Sequence, residues 1–334
     1  MGAKAVPHLA QYLSDDNEDL SGSILDIIGE INDPGSASLV LRFMDQTASV
    51  ELLCDSIKIL GNLKHAGAVT KLVSTLNDSP ETLFFAKDIQ NVALATIWAL
   101  GEIGSKSAVP HLLQFAKSNN KVIYLTAVAD ALGKINDARS LPFLLDQLKH
   151  RDTSVRVNAA RALGSFTGKE LFKPLWAAFE NETEYEVRSA LLDPLVDSGG
   201  TAAIERFVGM LKSGQPFTVQ VLGERALKKI GVKSVPALIA ALDQKDRELR
   251  IGSIRILSTL APTEAMPQLT NLAGEKDKIV RIAAIEALGR CGDQSSVLFL
   301  KRLSLSLDKS TRKAARTARE KISERLALGE NIAK

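Results

Sequence analysis

Aromatic residues make up only 5% of this sequence of 334 residues, and cysteine occurs just twice, at Cys54 and Cys291. So few cysteines argue against a scaffold held together by disulfide bonds, and their wide separation gives no spacing typical of a metal site. With so few aromatic rings, the core must be built from leucine, isoleucine, valine and alanine. Two isolated thiols are typical of a reducing compartment, so we expect a cytoplasmic protein.

Long apolar runs and histidine are also scarce. The sequence has no apolar run of about 18 residues, and residues 1–20 lack the basic start and apolar middle of a signal peptide. The four histidines form no ligand spacing. The net charge of +3 is too small to indicate nucleic-acid binding by itself. We therefore expect no membrane contact, no metal and no cofactor.

A short phrase recurs along the whole chain, as in "AVPHLAQYL" from Ala5 and "AVPHLLQFA" from Ala108. The position of the proline in this phrase, here called the proline column, recurs every 31 or 32 residues, with one step of 40. A constant period of this length predicts stacked structural repeats. The column consists of Pro7, Ser38, Thr70, Pro110, Pro142, Pro174, Glu205, Pro236, Pro267 and Leu298.

Each repeat has the pattern of two helices. Proline stands near the start of the first helix, where its missing N–H is not needed, and leucines follow at helical spacing. The second helix is rich in alanine, which lets neighbouring helices approach closely. The sequence thus predicts an all-α, right-handed α-solenoid of about ten two-helix repeats in a single domain, residues 1–334. The repeats lie near residues 1–33, 34–64, 65–104, 105–137, 138–168, 169–199, 200–231, 232–263, 264–293 and 294–334.

A glycine stands late in six of the second helices, and in "ALGEIG" this glycine, Gly101, forms a GxxG pair with Gly104. Such a pair could belong to a phosphate-binding loop, but no strand precedes it. We interpret the first glycine as a helix-packing residue and the second as a helix stop. The late glycines are Gly29, Gly61, Gly101, Gly133, Gly164 and Gly289.

An aspartate also stands four residues before an arginine at the start of several second helices. At this spacing the aspartate can cap the helix backbone while it pairs with the guanidinium group. Stacked repeats would align these pairs in a structural ladder. Acid–base catalysis is the alternative interpretation, and we do not favour it, because the motif repeats where no pocket is needed. The pairs are Asp152–Arg156, Asp246–Arg250, Asp277–Arg281 and Asp308–Arg312.

The second-helix form "VRxxAAxALG", as in "VRVNAARALG" from Val155, resembles HEAT repeats. It is similar above all to the short bacterial kind of the phycobilisome-lyase-like family. That resemblance implies a solenoid, and either a scaffold without chemistry or a bilin lyase, which attaches or removes tetrapyrroles. The lyase-type members are rich in Tyr and Trp along their second helices, whereas this chain has two Trp and three Tyr.

Residues on the second helices that point away from the core are candidates for partner binding. Trp98 stands in a column of mostly charged residues, and the long step of the period places about eight extra residues around "SPETLFFAKDIQ". We expect an aromatic anchor there, although a local mini-core would have the same composition. The candidate binding residues are Phe84, Phe85, Trp98, Lys58, Asp130, Arg161, Arg225 and Arg255.

Charge changes sign along the chain. Residues 1–104 carry 6 lysines and arginines against 14 acids, a net charge of −8, whereas residues 301–334 carry 10 against 4, a net charge of +6. Arg312, Arg316 and Arg319 are expected to form a basic C-terminal face. The leading hypothesis is a non-enzymatic scaffold that binds a protein through the concave second-helix face. The alternatives are a bilin lyase-like, pigment-handling protein and nucleic-acid binding through the basic C-terminal half.

Overall fold

The computed structural model describes residues 2–78 and 91–332, and every regular element in these two ranges is a helix. Packing divides the chain into two compact units, the first ending at Pro194 and the second beginning at Leu195. Both units are stacks of paired helices, so the all-α solenoid class that the period predicts is confirmed.

The helices of the first unit follow one another in pairs, with a short turn of 3₁₀ helix before most first helices. Their bounds are α1 Gly2–Leu9, α2 Glu18–Ile31, α3 Ala37–Met44, α4 Val50–Asn62, α5 Val69–Asp78, α6 Val92–Ile103, α7 Val109–Ser118, α8 Val122–Ile135, α9 Leu141–Gln147, α10 Thr153–Leu163 and α11 Phe172–Asn181. The next helix, α12 (Tyr185–Gly209), begins in this unit, and the helical backbone of α12 is broken at Gly200.

The sequence explains where these helices start and stop. Pro110 and Pro142 stand in the first turn of α7 and α9, where no N–H donor is required. Helix α6 ends at Gly104, whose φ of 72° is left-handed, as we expected of the second glycine of GxxG. Asn32 and Asn136 end α2 and α8 in the same conformation.

Successive second helices of the first unit touch at the late glycines. A Cβ added to Gly101 would lie 2.9 Å from Cα of Ala131, and one added to Gly133 would lie 2.9 Å from Cα of Ala162. Such distances leave no room for a methyl group, so only glycine permits this approach. The prediction that GxxG combines helix packing with a helix stop is confirmed.

The second unit repeats the arrangement after the end of α12. Its bounds are α13 Phe217–Ile230, α14 Val235–Leu242, α15 Arg247–Leu260, α16 Met266–Leu272, α17 Lys278–Cys291, α18 Gln294–Leu303 and α19 Lys309–Ile332. Gly289 of α17 meets Ala318 of α19, with 2.9 Å from a built Cβ to Cα. Within residues 2–78 and 91–332, no helix combines the length and apolar character needed to cross a bilayer.

Candidate functional site

A groove of about 420 Å³ lies between the second helices α4 and α6 of the first unit. Its walls come from positions one helical turn apart on both helices, so they form two parallel rows. The lining residues are Cys54, Lys58 and Asn62 of α4, and Asn91, Leu94, Ala95 and Trp98 at the start of and along α6.

Trp98 is half-buried and packs against the core of the first unit while it lines the groove. Its ring atom Cζ3 lies 2.8 Å from the position that a Cβ on Gly61 would occupy. The missing side chain of Gly61 therefore makes space for the indole ring. One part of the Trp98 side chain therefore belongs to the packing, and another part remains accessible.

The polar residues of the groove are held in place. The Asn91 side chain accepts a hydrogen bond from the N–H of Leu94 at 3.0 Å and donates one to the Tyr124 hydroxyl at 3.0 Å. Lys58 pairs with Asp55 at 2.9 Å and remains half exposed. Burial raises the pKa of the Cys54 thiol above its ordinary value, so the thiol stays protonated and acts as an apolar wall.

The other candidate binding residues of the first unit lie apart from this groove. Asp130 binds Lys134 of the same helix, α8, at 2.8 Å, and Lys134 also binds Glu102 of α6 at 2.8 Å. The carboxylate of Asp130 is therefore already paired within the protein. Arg161 is exposed on α10. Phe84 and Phe85, together with the rest of the insertion 79–90, lie outside the described residues. The structure thus brings Trp98 together with Lys58, but not with Asp130 or Arg161.

Two candidate residues belong to the second unit. Arg225 is exposed on α13. Arg255 of α15 pairs with Glu224 at 2.8 Å, and Lys228 lies 3.7 Å from the same carboxylate. Since Glu224 offsets part of this positive charge, the second-helix face here is of mixed sign.

The aspartates of the ladder cap their helices as expected. Each accepts a hydrogen bond from a backbone N–H in the first turn, which stabilises the helix start. The donors are Ser154 N at 2.8 Å to Asp152, Leu249 N at 3.0 Å to Asp246, Ile279 N at 2.9 Å to Asp277 and Thr311 N at 2.9 Å to Asp308.

The arginines of the ladder make different contacts from those that we expected. Arg156 binds Glu182 of the following helix pair at 2.7 Å, and Arg250 binds Glu275 at 2.9 Å. Arg281 donates to the Thr311 hydroxyl at 2.9 Å. The ion pairs therefore connect successive repeats. Two of the aspartates take part in such contacts as well, because Asp277 binds Arg247 at 2.8 Å and Asp308 lies 3.7 Å from Arg281.

Each ladder arginine also donates to a carbonyl of the turn that precedes its helix. Arg156 reaches His150 O at 2.9 Å, Arg281 reaches Glu275 O at 2.6 Å and Arg312 reaches Ser306 O at 2.7 Å. The corresponding bond of Arg250 goes to Leu242 O at 3.0 Å. Arg156, Arg250 and Arg281 thus bind both the chain just before their own helix and a residue of the next repeat.

The three arginines proposed as a basic C-terminal face differ in accessibility. Arg316 is exposed, whereas Arg312 is half-buried and bound to the turn before α19. Arg319 is half-buried as well, and its Nε is inaccessible and lacks a hydrogen-bond partner. In the described part of the chain, no group of three or more His, Cys, Asp or Glu side chains is placed to hold a metal ion.

Sequence reasoning missed several residues that the structure places at these sites. Cys54, Asn91 and Leu94 line the groove, and their spacing of one or two helical turns from Lys58 or Trp98 was the available signal. Glu182 and Glu275, the acidic partners of the ladder, lie in turns, two residues before Glu184 and Asp277, and this shared position was the available signal.

Comparison with known proteins gives one family match. The family model described as HEAT repeats matches residues 83–152, 141–228 and 235–319. None of the curated proteins matches the chain.

Solved structures share this fold at low sequence identity. The karyopherin Kap121p bound to the extreme C-terminus of the protein phosphatase Cdc14p is 14% identical, with a TM-score of 0.53 over 97% of this chain and 42% of that chain. Kap121p bound to the SUMO protease Ulp1p is 13% identical, with a TM-score of 0.54 over 97% of this chain and 41% of that chain. This chain therefore spans about two fifths of the karyopherin. Human deoxyhypusine hydroxylase in complex with glycerol is 20% identical, with a TM-score of 0.33 over 77% of this chain and 96% of that chain.

Proposed function

Because the chain belongs to the HEAT-repeat family, we propose that it is a non-enzymatic scaffold that binds a protein partner through its second helices. The single observation that carries this proposal is the groove between α4 and α6, where Trp98 is half-buried beside apolar and neutral polar side chains. The solved karyopherin chains of the same fold are bound to other proteins, and we propose a protein ligand here too.

The chemistry of the groove suits a side chain that inserts from a partner. Leu94, Ala95 and the buried Cys54 thiol supply apolar walls, and the indole of Trp98 supplies a large, rigid contact area. Residues of this type contribute most of the binding energy in protein interfaces. Lys58 at the rim can meet a carboxylate of the partner, which adds specificity more than affinity.

The other features agree with a scaffold. Cys54 and Cys291 are both free thiols, which supports our placement of the protein in the cytoplasm. Gly61 of α4 lies against Ala99 of α6, with 3.0 Å from a built Cβ to Cα of Ala99, and this close packing of the two helices preforms the groove. A preformed site binds with less loss of conformational entropy.

The test is a selection of displayed peptides against the complete chain, followed by affinity measurements on the Trp98→Ala variant. If the groove binds, affinity should fall about 30-fold or more, the effect of an interface anchor worth about 2 kcal/mol. Phe217→Ala is the matched control, because Phe217 is an exposed aromatic residue of the second unit. It should leave the affinity of the same peptides unchanged.

Thermal unfolding separates binding from packing. Because Trp98 is half-buried, its replacement should lower the melting midpoint less than Leu112→Ala, which removes a fully buried core side chain. If the selected peptides bind the Trp98→Ala and Lys58→Glu variants as tightly as the unaltered chain, the proposed site is contradicted. Salt-sensitive retention of duplex DNA, with no peptide selected, would favour the nucleic-acid alternative.

A further inference from the structure

The turn between α18 and α19 carries two leucines that the rest of the chain leaves uncovered. Leu305 is 81% exposed and Leu307 is 98% exposed. Because Lys278 Nζ lies 3.4 Å from a carboxylate oxygen of Asp308, the turn stands beside the start of α17, where Ile279 is 53% exposed. Side chains this exposed contribute little packing, so the stability of the fold does not explain them.

The equivalent turns of other repeats carry no large apolar residue at the positions of the two leucines. Aligned on the ladder aspartates, the residue before the aspartate is a cation in three repeats and Leu307 in the fourth. The residue three before it is charged or glycine in three repeats and Leu305 in the fourth. Two exposed leucines in one turn, where the repeat otherwise has none, indicate a contact outside the chain. The equivalent residues are Arg151, Lys245 and Lys276 in the first case, and Lys149, Asp243 and Gly274 in the second.

The surroundings of this turn are basic. Residues 301–313 carry five lysines and arginines against one acid, Asp308, a net charge of +4. Lys309, directly after the turn, and Lys276, in the equivalent turn before α17, are both exposed. Neither lysine makes an ion pair with any residue that the structure describes. The two leucines thus project from a surface whose lysines are available to an anionic ligand.

The acids near the turn are already held within the chain. Asp308 accepts a hydrogen bond from a backbone N–H in the first turn of α19 at 2.9 Å. In the turn before α17, Asp277 is paired with Arg247 at 2.8 Å and Glu275 with Arg250 at 2.9 Å. Because these carboxylates are paired or bonded to the backbone, the charge that this surface presents to the outside is positive.

We propose that this turn, residues 304–309 and here called the leucine turn, inserts Leu305 and Leu307 into the headgroup region of a membrane that contains anionic lipids. The apolar side chains gain free energy there in proportion to the area they bury, and the lysines meet the negative headgroups. Because Leu307 stands clear of its neighbours, a protein partner would have to bring a pocket for it, whereas a fluid lipid surface adapts to its shape. The expectation of no membrane contact rests on the lack of a long apolar run, and two side chains that enter only the headgroup region require no such run.

The experiment follows sedimentation of the complete chain with vesicles, made either of phosphatidylcholine alone or of phosphatidylcholine and phosphatidylserine in equal amounts. We expect binding only to the vesicles with phosphatidylserine, and this binding should weaken as the salt concentration rises. The double variant Leu305→Ser/Leu307→Ser should partition about tenfold less, since two apolar side chains are lost from the interface. Lys309→Ala should partition about fivefold less, the effect of one cation near an anionic surface.

A tryptophan in the leucine turn tests insertion directly. Leu307→Trp should show blue-shifted emission and quenching by brominated lipids when the vesicles contain phosphatidylserine. Val232→Trp is the matched control, because Val232 is 72% exposed elsewhere in the second unit, and it should show neither change. Both variants keep Trp98 and Trp176, so the emission of the unaltered chain is subtracted as background.

Further controls separate this surface from packing and from the Trp98 groove. Leu305→Ser/Leu307→Ser should leave the melting midpoint unchanged, because both side chains are uncovered. Lys233→Ala, at another exposed lysine of the second unit, should leave the partition unchanged. Trp98→Ala should bind vesicles like the unaltered chain, so a failure of the Trp98 groove and a failure of the leucine turn are distinguishable.

The inference is overturned if the chain does not bind vesicles with phosphatidylserine, or if the double leucine variant binds them as tightly as the unaltered chain. Equal binding to phosphatidylcholine alone would also overturn it, since the lysines would then play no part. Self-association that depends on Leu307 in sedimentation velocity, without vesicle binding, would assign the leucine turn to a protein contact instead.

Discussion

Arg156 of α10 and Glu182, which follows α11, are joined by two hydrogen bonds, 2.7 Å from Nε to Oε2 and 3.2 Å from Nη2 to Oε1. Both side chains are largely buried, with 14% and 7% of their surface exposed. The remaining capacity of Glu182 is used by the N–H groups of Thr183 and Glu184, each at 2.9 Å. This pair therefore connects two successive repeats as a satisfied network.

Removing one member of this pair should be costly. We expect Arg156→Ala to lower the free energy of unfolding by about 2–3 kcal/mol, because the Glu182 carboxylate stays buried without its cation. Arg151→Ala, at an exposed neighbouring arginine, should change it by less than about 0.5 kcal/mol. Urea unfolding measures both. Equal effects of the two variants would show that the pair is a solvated surface feature.

The same pair predicts a dependence of stability on pH. Burial raises the pKa of Glu182, but the bonds from Arg156 and from the backbone N–H groups outweigh it, so the pKa lies below its ordinary value. A lowered pKa stabilises the fold above the unfolded pKa of about 4.3, and this contribution is lost as the pH falls through the folded pKa. Glu182→Gln should thus be less stable than the unaltered chain near neutral pH, and the gap should narrow in acid. Melting midpoints across this range test the prediction, and a constant gap would refute it.

The late glycines allow a test of close packing. Gly133→Ala should destabilise by about 1–3 kcal/mol, because the new methyl group would lie 2.9 Å from Cα of Ala162. Gly22→Ala is the matched control, since Gly22 lies within α2 and a Cβ there meets nothing within 4 Å. It should stabilise by about 0.5–1 kcal/mol through helix propensity. Thermal unfolding of the two variants should shift in opposite directions, and a shift of the same sign would contradict the packing argument.

In the second unit, Arg281 provides an independent test of the ladder. Its guanidinium donates to Glu275 O at 2.6 Å and to the Thr311 hydroxyl at 2.9 Å. Arg281→Ala should therefore destabilise by about 1 kcal/mol or more, since these groups lose their donor. Arg316→Ala, at the exposed arginine of α19, serves as control. An unchanged melting midpoint for Arg281→Ala would show that the ladder does not stabilise the fold.

The architecture was predictable because it rests on local patterns that recur. Proline in the first turn, leucine at helical spacing, and glycine or asparagine at the helix ends act within a few residues, so Pro110, Gly104 and Asn136 reveal their roles in the sequence. Capping by Asp152 and its equivalents is local in the same sense.

Contacts between repeats were less accessible to such reasoning. The spacing of Asp152 and Arg156 suggested a pair within one helix, yet Arg156 reaches Glu182, a distance of 26 residues along the chain. The indole of Trp98 depends in the same way on the missing side chain of Gly61, which lies on another helix. Both contacts are set by the tertiary distance between helices, and no periodicity encodes that distance.

The glycine–alanine contacts also determine how such a chain can change its length through gene duplication and loss. Gly101 meets Ala131, and Gly133 meets Ala162, at the same distance of 2.9 Å. A deletion of one whole period between them would bring Gly101 against Ala162, and neither residue would have to mutate. An insertion of a few residues inside a second helix would rotate the glycine away from its partner. The glycine–alanine contact therefore tolerates the gain or loss of whole repeats, but not of a few residues within a second helix.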